Sequence, residues 1–321
     1  MRCYFNIKSI LITKLFLVKA KKIISCIALT FCCIVISFAQ LKSEEINLNN
    51  GVIQLPGTLS YTSEKSPLII WVHGSGGVDR NGSPANYIQQ FRKAVNQENI
   101  AFFSYDKRTT NPKNAAFLND ILIEDFVSDI KVVISHFKND ARFTSIILIG
   151  HSQGSLLAMI ASKNADKYIS LAGAGETIDK TIVRQITNQS KELGILTENY
   201  FKELKETGEI KEIDPNLLSL FSPQNQPFFS SWVALNPIDE IKKVSIPTLI
   251  IQGDKDIQVL ISDAENLSKA KPDAQFVIIK NMNHVLKIIE NEEDNLKSYM
   301  TDSFPISEIL IKEISHFIFK K

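Results

Sequence analysis

Ser152 is the residue whose type and surroundings most directly suggest covalent chemistry. It is the centre of Gly150-His151-Ser152-Gln153-Gly154, which follows the apolar run Ile146–Ile149 and precedes the small-residue run Ser155–Ser162. The β-branched run predicts a buried strand, and the residues after the motif favour a helix. A serine in a Gly-x-Ser-x-Gly turn between a strand and a helix has a strained backbone that exposes its hydroxyl. We therefore predict that Ser152 is a nucleophile.

Candidates for a base and an acid follow later predicted strands. A serine hydroxyl needs a general base, and a carboxylate must orient that base. The carboxyl ends of parallel strands meet at one edge of a sheet, so the base and the acid are expected directly after strand patterns. His284 follows the predicted strand Gln275–Ile279 and is the preferred base. Asp256 follows Thr248–Gln252 and is preferred as the acid over Asp254, which could instead cap the same turn through backbone N–H groups.

Backbone N–H groups can stabilise the oxyanion that forms when a serine attacks an acyl carbonyl. The first predicted donor is Gln153, directly after the nucleophile. The second is Ser75 or Gly76, in the glycine-rich run His73–Gly77 that follows the apolar run Leu68–Val72. This loop could instead cradle a phosphate, but no Lys-Ser or Lys-Thr pair follows it as in a P-loop. We predict no cofactor.

Strand and helix patterns alternate around these motifs. This rhythm predicts the α/β class, with a mostly parallel, doubly wound sheet. Residues 45–61 predict antiparallel strands with turns at Asn49–Gly51 and Pro56-Gly57. Amphipathic spacing predicts helices at about Pro84–Glu98, Leu118–Phe137 and Ile306–Phe319. The last helix is expected to pack on the sheet through Ile309, Leu310, Ile314 and Phe317.

Residues 176–236 interrupt the alternation of strands and helices. They are first polar with helical spacing and then rich in aromatic residues and prolines. We interpret them as a helical lid inserted between two sheet strands, because no sheet or core of their own is visible. The aromatic residues could form an apolar wall for a substrate or anchor the lid to the core: Phe221, Phe228, Phe229 and Trp232.

Composition excludes several classes of function. The chain has 321 residues, 44% of them hydrophobic, which is enough for a sizeable core. Residues 1–39 contain six of the 36 basic residues and none of the 35 acidic ones, so residues 40–321 have a formal net charge of −5. A mildly acidic domain without a basic cluster argues against nucleic acid as a partner. No paired histidines at helical spacing indicate a metal site.

The N-terminal 39 residues resemble a targeting segment. The basic residues precede the apolar stretch Ile23–Phe38 and the small-residue site Ser37-Phe38-Ala39. This layout predicts a signal peptide that is cleaved after Ala39, and hence a secreted or periplasmic domain at residues 40–321. An uncleaved membrane anchor is the alternative. All four cysteines lie in this segment, so the mature domain would have no disulfide and no thiolate.

Five motifs in order resemble the secreted or periplasmic α/β-hydrolase esterases of bacteria. They are HGSGG…DR, YDKR, GHSQG, GDKD and NMNHVLK, and the resemblance spans about residues 50–321. It implies an α/β-hydrolase fold and hydrolysis of small-molecule acyl esters through an acyl-enzyme on Ser152, with Asp256 and His284 as partners. The chain departs from the pattern after Arg108, where Thr109-Thr110-Asn111-Pro112 replaces the usual Gly-x-Gly. We interpret Asp79-Arg80 and Asp106-Arg108 as ion pairs that hold loops.

Two other functions fit the same motifs. A peptidase of the prolyl-aminopeptidase or dipeptidyl type would use the same three residues and an acidic residue for the substrate's amino terminus, for which Glu176 and Glu198 are candidates. A non-catalytic binding protein of the same fold is disfavoured, because serine, acid and base positions are all filled. Contact with a membrane is expected only through the N-terminal segment, if it is retained.

Overall fold

The computed structural model describes residues 40–320, so the predicted signal peptide, its cleavage site and the four cysteines lie outside the described residues. From Leu41 on, these residues form one compact unit around an eight-stranded sheet of order β1-β2-β4-β3-β5-β6-β7-β8. β2 pairs antiparallel with β1 and β4, and the other strands are parallel. The strands are β1 Lys42–Asn50, β2 Ile53–Tyr61, β3 Ser66–Val72, β4 Ala101–Tyr105, β5 Phe143–His151, β6 Lys167–Leu171, β7 Thr248–Gly253 and β8 Gln275–Ile279.

Ten α-helices are found among the described residues. They are α1 Tyr87–Gln97, α2 Ile123–Phe137, α3 Gln153–Ala161, α4 Ile178–Thr187, α5 Lys191–Thr207, α6 Leu218–Phe221, α7 Gln226–Val233, α8 Pro237–Lys243, α9 Ile261–Ala270 and α10 Glu308–Phe319. Short 3₁₀ segments lie at Pro112–Phe117, Ser162–Asn164, Glu292–Asp294 and Lys297–Tyr299. None of the helices between residues 40 and 320 is long and apolar enough to cross a membrane.

The two faces of the sheet are buried by different helices. Successive side chains of a strand point to opposite faces, and in β3 Leu68 and Ile70 belong to one apolar cluster while Ile69 and Trp71 belong to the other. Helices α1 and α10 pack in the cluster with Trp71, and α2, α3 and α9 pack in the first. This two-sided burial explains the continuous apolar runs of the parallel strands, and it confirms the predicted doubly wound α/β class.

An insertion of five helices, α4 to α8, joins β6 to β7. The sequence predicted it at 176–236 without a core of its own. The insertion does contain an aromatic cluster, in which the Phe221 ring lies 5.5 Å from that of Tyr200, 5.1 Å from Phe201 and 5.6 Å from Phe229. These residues belong to the apolar cluster that continues into the sheet's core. The insertion is therefore packed as part of the domain.

Three local predictions are wrong. Pro56-Gly57 is not a turn but part of β2, where a Cβ on Gly57 would lie 2.4 Å from the Phe103 ring, so glycine makes room for that ring. Helix α2 starts at Ile123 rather than Leu118, because the Asp125 carboxylate accepts the Leu122 N–H and caps the helix there. In α10, Ile309 is half exposed at 51% and faces away from the sheet, whereas the other three predicted contacts are buried.

Candidate active site

Ser152 lies at a sharp turn between β5 and α3. Its backbone has φ 55° and ψ −121°, a positive φ that is unfavourable for a residue with a side chain. Its N–H donates to the Leu171 carbonyl of β6 at 3.0 Å. The glycines on either side are required by close packing. A Cβ at Gly150 would lie 2.3 Å from the Gly154 oxygen, and one at Gly154 would lie 2.2 Å from the Val72 oxygen. Strand and helix thus pass too closely for any larger residue.

His284 and Asp256 come together beside this turn. The His284 Nδ1 donates to Asp256 Oδ2 at 2.7 Å, and both side chains are buried. Asp256 Oδ1 also accepts the N–H groups of Gln258 and Val259. Burial raises the pKa of Asp256, but the interaction with the His284 ring and these hydrogen bonds outweigh it, so the pKa is lowered. The carboxylate is therefore held ionised and can fix the tautomer of His284.

Asp254 occupies the same turn but has a different contact. It is exposed, and its carboxylate accepts the N–H of Asn281, in the segment that leads from β8 to His284. It makes no hydrogen bond to His284. Asp254 thus holds the turn, as the alternative role in the sequence analysis anticipated, while Asp256 meets the histidine.

His151 links the turn at Ser152 to the loop that carries His284. Its Nε2 donates to the His284 carbonyl at 2.8 Å, and the two rings lie 4.8 Å apart. The ring also stacks on Trp71 at 5.6 Å. Burial, together with the nearby His284, lowers the pKa of His151 to about 3. No hydrogen bond among residues 40–320 joins the Ser152 hydroxyl to His284; such contacts often tighten only when substrate is bound.

The predicted oxyanion donors lie next to Ser152. A Cβ at Gly74 would be 3.2 Å from the Ser152 Cβ, so Gly74, in the glycine-rich loop after β3, lies close against Ser152. Ser75 and Gly76 line the same cavity as Ser152 and Gln153. Gln153 is the first residue of α3, where a backbone N–H has no partner within the helix. The residues predicted to donate these N–H groups thus lie close to Ser152.

Lys107 is a site residue that the sequence analysis missed. It follows β4, is buried, and its Nζ donates to the Gly74 carbonyl at 2.7 Å and to Gln153 Oε1 at 2.8 Å. The Nζ also lies 4.8 Å from the centre of the Phe126 ring. Burial lowers the pKa of Lys107 to about 7. The signal in the sequence was its position two residues after a strand, inside the YDKR motif.

The charged neighbours of Lys107 hold loops, but with partners other than the adjacent residues. Arg80 pairs with Asp106 at 2.8 Å, and Arg108 pairs with Asp129 of α2 at 2.8 Å. The predicted pairs Asp79-Arg80 and Asp106-Arg108 are therefore wrong as pairs, although the ion pairs that do form join separate loops to each other and to a helix. Among residues 40–320 Asp79 makes no ion pair and instead accepts three backbone N–H groups of its own turn.

A cavity of about 570 Å³ opens beside Ser152. Most of its apolar wall comes from the insertion: Ile178, Ile182, Leu220, Phe228, Phe229, Trp232 and Pro237. Phe221 is fully buried in the aromatic cluster and does not line the cavity. Both positions considered for the lid aromatics, on the cavity wall and in the core, are thus occupied.

The two acidic residues considered as partners for a substrate's amino terminus lie in different places. Glu176 lines the cavity but pairs with Arg184 at 2.8 Å, whereas Glu198 is exposed on α5 away from the cavity.

The strand order, the strained serine turn after β5 and the hydrogen-bonded aspartate and histidine after β7 and β8 are the arrangement of an α/β hydrolase. A family model described as BD-FAE matches residues 53–270. The chain belongs to this family.

Relatives with esterase names support the same class. Esterase EstD of Thermotoga maritima is 25% identical over 263 residues, which are 76% of this chain and 60% of the relative. The chain therefore spans about 60% of the length of that curated relative. Among solved structures, Est1E from Butyrivibrio proteoclasticus has a TM-score of 0.57 at 20% identity, covering 86% of this chain and 99% of its own. The esterase Pf2001 of Pyrococcus furiosus has a TM-score of 0.56 at 15% identity, covering 87% and 91%. At these identities the two structures establish the fold.

Proposed function

We propose that this protein is a serine hydrolase that cleaves carboxylic acyl esters through an acyl-enzyme on Ser152. His284 acts as general base, and Asp256 orients it. The observation that carries the proposal is the buried 2.7 Å hydrogen bond from His284 Nδ1 to Asp256, made beside a serine in a strained turn at the mouth of a cavity. The esterase names of the relatives point in the same direction.

The reaction runs in two acyl-transfer steps. His284 Nε2 accepts the Ser152 proton as Oγ attacks the ester carbonyl carbon. The N–H groups of Gln153 and of Ser75 or Gly76 stabilise the oxyanion, each contribution being about 3 kcal/mol by analogy with other serine hydrolases. The tetrahedral intermediate collapses as His284 gives its proton to the departing alcohol. Water then attacks the acyl-enzyme with the same base, releases the acid and restores Ser152.

The cavity favours an acid of small to medium size with an apolar or aromatic part. Its volume of about 570 Å³ suits one ring and a short chain rather than a long polymer. Phe228 and Trp232 offer aromatic faces, against which a planar ring can stack. Est1E, which shares the fold, has a structure with ferulic acid bound, and an aromatic acyl group is accordingly part of our proposal.

The peptidase alternative has less support. A substrate's amino terminus would need an acidic partner in the cavity, and Glu176 is already paired with Arg184.

We also propose a secreted or periplasmic location, because residues 1–39 are predicted to be a signal peptide that is cleaved after Ala39. N-terminal sequencing of the exported protein would test this location.

A fluorophosphonate probe and a substrate panel test the function. We expect labelling of the wild-type protein and turnover of p-nitrophenyl esters, and loss of both in Ser152→Ala by a factor of about 10⁴ or more. Ser43→Ala, at an exposed position of β1, is the matched control and should label normally. Unlabelled wild-type protein would favour the binding-protein alternative. Faster cleavage of aminoacyl anilides than of esters would favour a peptidase.

A further inference from the structure

Lys107 is an unusual residue to find inside an apolar site. Its side chain is buried, and its Nζ donates to two neutral oxygens, the Gly74 carbonyl and Gln153 Oε1. No salt bridge among residues 40–320 includes it, although Asp106 and Arg108 on either side are both paired. Burial of a charge without a carboxylate partner is costly. A residue that served only to fill this space would be better replaced by an apolar side chain.

One of the two oxygens that Lys107 contacts lies in the peptide unit that joins Gly74 to Ser75, and the other lies on the side chain of Gln153. The Gly74 carbonyl and the Ser75 N–H are parts of one planar peptide unit, in which C=O and N–H point in opposite directions. Holding the carbonyl therefore fixes the direction of the Ser75 N–H. Lysine is only a donor, so the Gln153 amide must present its oxygen to Lys107. That bond holds the side chain of the residue whose backbone N–H is the other donor.

We propose that Lys107 is a positioning residue for the oxyanion hole, which aims the Ser75 and Gln153 N–H groups at one point beside Ser152. The inference rests on the proposed ester hydrolysis and selects Ser75 rather than Gly76 as the second donor. The ammonium takes no part in bond making or breaking. In its protonated form the Lys107 ammonium has the sign of charge that stabilises a developing oxyanion in a medium of low dielectric constant. The proximity of Gly74 to Ser152, with a built Cβ 3.2 Å from the Ser152 Cβ, places this peptide unit at the reacting centre.

Kinetics of the full-length protein can separate this role from simple packing. Lys107→Met keeps the length and apolar stem of the side chain but removes the charge and both hydrogen bonds. Loss of one oxyanion donor in serine hydrolases costs about 10²–10³ in kcat, and since Lys107 acts through the donors we expect a fall of about 10–100-fold. KM for p-nitrophenyl acetate should change less than about threefold, because the ground-state ester does not carry the oxyanion charge. A trifluoromethyl ketone, which binds serine as an anionic adduct, should lose affinity by about the same factor as kcat.

Two further variants decide between the explanations. Lys107→Arg keeps a cation and donors, and we expect it to recover at least part of the lost kcat. Lys271→Met is the matched control: Lys271 is also buried, but its Nζ pairs with Asp273 in the turn before β8, at the opposite end of that strand from His284. It should lower thermal stability without changing kcat. If Lys107→Met does not give a cooperative thermal transition, Lys107→Gln, which retains one donor without charge, replaces it in the same assays.

The outcomes are distinct. Wild-type protein that neither labels nor turns over ester refutes the proposed function itself. An active wild-type protein whose Lys107→Met variant has kcat within about threefold of normal refutes only the positioning role. A Lys107→Met variant whose KM rises by the same factor as its kcat falls would also refute the positioning role. So would a Lys271→Met variant that loses as much kcat as Lys107→Met. Either result would assign Lys107 to packing.

Discussion

Replacing Asp256 by asparagine tests the predicted acid with almost no change in shape. In the structure all contacts to this side chain are donors. Oδ1 accepts the N–H groups of Gln258 and Val259 at 2.8 and 2.9 Å. Oδ2 accepts from His284 Nδ1 at 2.7 Å and from Gln252 Nε2 at 3.0 Å. The backbone N–H groups cannot reverse direction, so they decide which way an asparagine must turn.

The Asp256→Asn amide should direct its oxygen to the two backbone N–H groups and its NH₂ group to His284. The imidazole Nδ1 must then accept a hydrogen bond, which moves the ring proton to Nε2, the atom that has to accept the Ser152 proton. We expect kcat to fall about 10⁴-fold, the loss known for the equivalent change in a serine protease, or about 5 kcal/mol of transition-state stabilisation. Release of p-nitrophenolate from p-nitrophenyl acetate measures it.

Asp254→Asn is the matched control for this experiment. Asp254 accepts the Asn281 N–H through one oxygen, which an asparagine can reproduce with its own carbonyl. We expect kcat within about threefold of the wild-type value and a similar thermal midpoint. A larger loss of kcat in Asp254→Asn than in Asp256→Asn would refute the argument and transfer the acid's role to Asp254.

Two other predictions concern acid stability and substrate choice. Burial lowers the pKa of His73 to about 4 and that of His151 to about 3, whereas the unfolded chain takes up both protons near pH 6.5. The free energy of unfolding should therefore fall as pH drops below 6.5, by about 4 kcal/mol for the two histidines together at pH 5. Urea denaturation at pH 7, 6 and 5 measures this change. An unchanged denaturation midpoint would contradict the conclusion that both histidines are buried in the neutral form. Phe228→Ala removes an aromatic face of the cavity. We expect KM for an aromatic acyl ester to rise about 10-fold and KM for p-nitrophenyl acetate to stay nearly unchanged. An equal rise in KM for both esters would show that the aromatic acyl group does not contact Phe228.

The sequence alone was sufficient to predict those features that depend on a local pattern of residues. The apolar run of β5 and the glycines around Ser152 predict a strand and a turn. The structure gives the reason for the glycines, because any Cβ at Gly150 or Gly154 would collide with backbone. The class of fold followed from the alternation of strand and helix patterns along the chain. His284 could be chosen because it follows a later predicted strand, whereas His73 and His151 belong to the glycine-rich loop and to the motif around Ser152.

Side-chain direction could not be predicted in the same way. Lys107 and Arg108 are adjacent in the chain, yet one contacts Gly74 and Gln153 and the other reaches Asp129 of α2. No local pattern tells which basic residue will face the site, because the choice depends on partners far along the chain. The exposed position of Ile309 has a similar origin: α10 presents a narrow face to the sheet, and the apolar spacing of the sequence is wider than that face.

The insertion from α4 to α8 allows the choice of substrate to change independently of the reaction that is carried out. It supplies most of the apolar wall of the cavity, while Ser152, Asp256 and His284 belong to loops of the sheet. Selection, or a library of variants, can therefore act on these helices to exchange one ester for another without disturbing the three residues that we propose to be catalytic. The cost is a limit on such changes: Phe229 belongs both to the wall and to the aromatic cluster around Phe221, so a new specificity must be found mainly at Phe228, Leu220 and their neighbours.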